Sequence, residues 1–174
     1  EDVFIGSLQE DLSSYDLYKH KKNISEGVEP ACSILGDDSL VRTAEFITKD
    51  LDKTISAMLD FYKAMTPGSW DNAEGILKEM HLIAPPGSVL GEAMRVVEEE
   101  LPDSIDSLVG WIAKLTENLV EAQSTLRESS GKKSGLRKIG KAVTSLREIN
   151  RVMRMMKDSI TSKDGIVMSY GVPY

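Results

Sequence analysis

Histidine, cysteine and closely paired carboxylates are the side chains through which a chain of this size would bind a metal or move a proton. With only two histidines and one cysteine in 174 residues, the means for such chemistry are few. His20, Cys32 and His81 stand too far apart to form a ligand set, since metal-binding pairs recur within two to about five residues. No metal site and no cofactor is therefore expected. Nothing places a base or an orienting group beside Cys32, so no catalytic nucleophile is assigned either.

Other motifs fail on their own requirements. Gly131-Lys132-Lys133-Ser134 resembles the end of a phosphate-binding loop, but the glycine needed five residues earlier is Leu126 and no strand precedes it. Glu98 to Glu100 reads as a solvated acidic face, and Asn23-Ile24-Ser25 matches the glycosylation triplet by chance. Trp70 and Trp111 read as core or seam residues, with an interface anchor as the other possibility. The chain is expected not to be an enzyme.

Charge is more informative. The net charge is −7, yet residues 131–164 carry ten basic side chains against three acidic ones, leaving 11 basic and 25 acidic elsewhere. At about 100° per residue, Arg137, Lys141, Arg147, Arg151 and Arg154 fall within an arc of about 140° on one helix, mostly away from its apolar seam. Arginine forks meet carboxylate or phosphate oxygens bidentately, so such a face suits an anionic partner. Val152, Met153, Met155 and Met156 widen the apolar stripe of that helix, and methionine-rich surface accommodates a partner helix or an oligomer contact. The alternative for the methionines is a second neighbour inside the bundle that covers them.

These residues lead to a first reading as a non-enzymatic interaction module, a scaffold, docking or oligomerisation unit. Its partner-binding residues are Arg137, Lys141, Arg147, Arg151, Arg154 and Met155. The partner is a protein or a second copy. The alternative is RNA or DNA, its phosphates held by the same cations, against which the overall negative charge works at long range.

The elements that must position this face follow from periodicity. Apolar residues recur at three- and four-residue spacing almost throughout, and no run alternates with period two, so the fold class is all-α. Ile5, Leu8, Leu12 and Tyr15 predict a short first helix, and residues 19–37, broken by Gly27, Pro30 and Gly36, predict a connector. Asp38 is the expected cap of a long helix whose buried face is Leu40, Ala44, Ile47, Leu51, Ile55, Met58, Tyr62 and Met65. Two shorter helices are expected after Ser69 and Ser88, the second ending at Leu101 where Pro102-Asp103 breaks and recaps the chain.

The most regular seam is Ile105, Leu108, Ile112, Leu115, Leu119, Ala122 and Leu126, resumed after a glycine hinge by Leu136, Ile139, Val143, Leu146, Ile149, Met153, Met156 and Ile160. The expectation is a single helical-bundle domain over residues 1–163, of about five or six helices with a long C-terminal antiparallel helical hairpin. An extended tail follows over 164–174. One cysteine and no apolar run near the roughly 20 residues that span a bilayer suit a cytoplasmic protein without a transmembrane segment. A first residue that is Glu suggests an excised or processed piece.

Overall fold

The computed structural model describes residues 14–65, 92, 95–128 and 133–161, and these are helical apart from a short turn at 36–38. Four α-helices follow in order: α1 Ser14–Leu35, α2 Ser39–Met65, α3 Leu101–Glu128 and α4 Lys133–Thr161, with a π-helical turn at Val96–Glu100 leading into α3. The expected helices around Ile5 to Leu12 and Trp70 to Met80, the 164–174 tail, and Tyr62 and Met65 of the α2 face lie outside the residues or side chains described.

The first correction concerns residues 19–37, which form most of a 22-residue helix rather than a connector. Gly27 and Pro30 cost a helix about 1 and about 3 kcal/mol in isolation. Tertiary packing outweighs them here. Ile24, Val28, Ala31 and Cys32 line one face of α1 and are 7% exposed or less, and α1 makes its most extensive contact with α4. Gly27 is the notch that permits it: a Cβ there would lie 2.4 Å from the Ala142 Cβ and 2.7 Å from the Lys138 carbonyl oxygen. What reads locally as a breaker is a point of close backbone approach.

The turn between α1 and α2 is determined by Gly36, whose φ of 65° is open to glycine at little steric cost. It lets the Asp37 N–H donate to the Cys32 carbonyl at 3.2 Å, closing α1 in a Schellman motif. The Asp37 carboxylate, and not that of Asp38, then accepts from the Ser39 N–H at 3.0 Å and its hydroxyl at 2.6 Å. These bonds favour the charged form and hold the Asp37 carboxyl below its ordinary range. The capping carboxylate lies one residue earlier than expected, because the glycine turns Asp37 toward the new helix.

Pro102 does not break the chain. The Leu101 N–H bonds Val96 O, five residues back, and α3 continues directly with Pro102 in its first turn. A first-turn N–H has no partner within its own helix, so the proline sacrifices little there.

The seams of α3 and α4 are filled as the periodicity predicts. Ile105, Leu108, Ile112, Leu115, Leu119 and Ala122 are fully buried, as are Ile139, Leu146, Ile149, Met153 and Met156. Each such Leu or Ile contributes about 1.5–3 kcal/mol. An ion pair joins Asp106 to Lys157, Gln123 lies against Gly140, and Leu126 lies against Gly135. The paired positions therefore step in opposite directions along the two helices. On α2, Leu40, Ala44, Ile47, Leu51, Ile55 and Met58 are buried. An ion pair of 2.9 Å from Lys21 to Asp52 ties α2 to α1. No described helix is long and apolar enough to cross a membrane.

Candidate functional site

α4 carries two buried stripes, not one. Besides the seam toward α3, Ala142, Ser145 and Val152 are buried at 2% exposure or less, on the side where α4 meets α1. On a wheel of about 100° per residue these stripes together take about half the circumference. The other half holds Arg137, Lys141, Arg147, Arg151 and Arg154, all exposed. The helix therefore gathers the five expected cations on one outward arc, while packing uses only the apolar side.

Of the two readings open for the methionines, the one in which neighbours inside the bundle cover them holds for Val152, Met153 and Met156, which are fully buried. Met155 alone of this group reaches the outward arc, half-buried. With Arg147, Asn150, Arg151, Arg154 and Asp158 it lines a shallow depression of about 460 Å³. The Oδ1 atom of Asn150 is buried there without a hydrogen-bond partner.

Arg151 and Glu148, one turn apart, form a forked pair, with Nη2 to Oε1 at 2.5 Å and Nε to Oε1 and Oε2 at 3.2 and 3.3 Å. The guanidinium holds the Glu148 carboxyl below its ordinary range. Both side chains remain exposed enough, 51% and 38%, for the pair to exchange with solvent or with a partner's carboxylate. Among the described residues Arg137, Lys141, Arg147 and Arg154 have no ion-pair partner.

The other chemistry-bearing residues fall as follows. Cys32 is buried, and burial pushes its thiol pKa up, which disfavours the thiolate a nucleophile needs. Glu99 and Glu100 lie on the surface within 3.6 Å of Arg95. No cluster able to hold a metal occurs among the described residues. His81, Trp70 and the Gly131-Lys132 hinge lie outside them. His20 lies between α1 and α4, its Nδ1 2.9 Å from the Ser145 hydroxyl, and Asn23 Nδ2 donates to the same oxygen at 3.1 Å. Ser145 is 2% exposed, so this Ser–His pair is closed to a substrate and joins two helices instead. The Asn23 amide, part of the glycosylation triplet, is engaged in that contact. This polar node escaped the sequence reading, because a histidine and a serine more than a hundred residues apart give no local signal.

Comparison of the chain with protein-family models, curated protein sequences and solved structures finds no match in any of the three.

Proposed function

We propose that the chain is a non-enzymatic helical interaction module that docks a protein partner, or a second copy of itself, through the outward face of α4. In this reading the module is a bundle of five or six helices, and α3 and α4 form the antiparallel hairpin that stiffens the face. The observation that carries it is the separation of roles on α4: the apolar side is consumed by packing, while Arg137, Lys141, Arg147 and Arg154 remain without ion-pair partners among the described residues. Met155 supplies an apolar contact inside the arginine cluster. Binding energy would come from such buried contacts, with the cations setting register and association rate.

A protein is favoured over RNA or DNA because the arc is mixed in sign. Glu148 and Asp158 sit among the arginines, where they repel phosphates but can meet a partner's basic groups. Light-scattering mass and the ultraviolet absorbance ratio of the purified chain test this reading. A defined assembly, or a retained protein partner, should be free of nucleic acid and should dissociate on Arg147→Glu with Arg154→Glu while the helical circular dichroism stays unchanged. A clean monomer without partner, an assembly indifferent to those substitutions, or co-purified nucleic acid whose binding collapses steeply with salt would end it.

A further inference from the structure

Arg42, Phe46, Lys49 and Lys53 follow one another along α2 at spacings of four, three and four, and all four are exposed. At about 100° and 1.5 Å per residue they share a stripe about 60° wide and about 17 Å long. Phe46 is 46% exposed and meets Trp111 of α3, 39% exposed. Their ring centroids are 5.8 Å apart with the planes at 65°. Lys114 Nζ stands over the Trp111 ring, 5.5 Å from its centroid. The surface thus crosses from α2 to α3, with two aromatic rings at its middle and four cations around them.

None of Arg42, Lys49, Lys53 and Lys114 has an ion-pair partner among the described residues. Asp37 is near enough to feel the Lys114 charge, and by spacing Asp38 and Asp60 mark the two ends of the stripe. Glu45, Asp50 and Glu117 flank it at three- and four-residue spacing without closing an ion pair among the described residues, and Asp52 is held by Lys21. In a chain of net charge −7, four cations free of ion-pair contacts among the described residues, around exposed rings, make a surface able to meet an anion that also carries an apolar group.

We propose that this surface, separate from α4, docks an acidic segment of another protein. The segment's apolar anchor rests on the Phe46–Trp111 contact and its carboxylates reach Arg42, Lys49, Lys53 and Lys114. A single nucleic-acid strand fits less well, because Lys114 over Trp111 and the edge contact with Phe46 leave no pair of parallel ring faces for a base to enter. A membrane surface fits less well too, since two partly buried rings fall short of the continuous apolar face by which interfacial helices insert.

The test uses the full chain carrying Trp70→Phe, so that Trp111 is the only indole. Its fluorescence is titrated with a panel of synthetic helical peptides, each with one Leu, Phe or Trp-free aromatic anchor flanked by glutamates. Matched peptides with Gln for Glu, phosphatidylserine vesicles and a single-stranded oligouridine are the comparators. Acidic peptides should bind saturably, and Lys49→Glu with Lys53→Glu should weaken them about tenfold or more, as should Gln for Glu. Those lysines are exposed, so the circular dichroism melt should not move. Arg147→Glu with Arg154→Glu on α4 should leave this binding intact, which separates it from the α4 face. Absence of saturable binding across the panel, equal binding by the Lys49/Lys53 variant, or tighter engagement of the vesicles or the oligonucleotide would each overturn the proposal.

Discussion

A neutral imidazole at His20 completes a short chain of hydrogen bonds between α1 and α4. Asn23 donates to the Ser145 hydroxyl, and that hydroxyl can donate to His20 Nδ1 when the ring proton sits on Nε2. Protonation would reverse the second bond and place a cation in a half-buried site. Burial accordingly lowers the His20 pKa below the ordinary histidine value of about 6.5; Asp16 and Glu148 oppose this, and Lys19 adds to it. The folded state thus binds a proton more weakly than the unfolded chain, and the stability His20 contributes is complete above about pH 6.5 and declines as pH falls through that value. The decline levels off below the folded pKa. Glu148, itself lowered by Arg151, titrates in a more acid range, so the two steps are separable. A melting temperature that drops as pH is lowered through about 6.5, and a flatter profile in His20→Asn, is the expected outcome. A proton resonance titration placing His20 at or above the ordinary histidine value would rule this out.

Helix packing makes opposite demands on two glycines of similar sequence context. Gly27 lies where α1 and α4 approach most closely, and a Cβ there would meet both the Ala142 side chain and the Lys138 backbone. At Gly110, in the exposed part of α3, an added Cβ would have nothing within 4 Å. Gly110→Ala should therefore stabilise the fold by about 0.5–1 kcal/mol through helix propensity. Gly27→Ala should destabilise it by about 1–3 kcal/mol through overpacking. Ala142→Gly should rescue it only in part, because the Lys138 carbonyl cannot be trimmed. Urea midpoints that move in the same direction for both substitutions would contradict this account. The contrast also explains what was legible in the sequence. The seams from Ile105 to Ala122 and from Ile139 to Ile160 are local periodicities, so their helices and the outward arc of arginines could be read from spacing alone. α1 could not, because the residue that justifies Gly27 lies on α4. That error left the cover of Val152 open: with 19–37 read as a connector, no element was named as the second neighbour of α4. The Phe46–Trp111 contact was hidden for the same reason, since each ring occupies an ordinary flank position on its own helix and only the packing of α2 on α3 joins them.

At the scale of the molecule, buried side chains from all four helices and the π-helical turn form one continuous cluster. α4 packs against α1 and α3, and α2 closes the circuit by contacting both of those as well. No helix can leave without stripping cover from two others: loss of α1 alone would expose Val152 and Ala142, both fully buried, along with the His20–Ser145 contact. Such mutual dependence favours a single cooperative transition. In the Trp70→Phe chain, helical circular dichroism and the fluorescence of Trp111 should follow denaturant unfolding with coincident midpoints. Leu146→Ala, which opens a cavity in the shared core, should lower both signals together by about 2–5 kcal/mol. The exposed pair Arg147→Glu and Arg154→Glu should leave both midpoints where they are, because those side chains hold nothing in the bundle together. A plateau in the dichroism after the Trp111 signal has finished, or a large shift from the arginine substitutions, would show that α3 and α4 stand as a separate unit or that the cations serve the fold. Coincident transitions with unmoved midpoints would leave the outward arginines free for a partner.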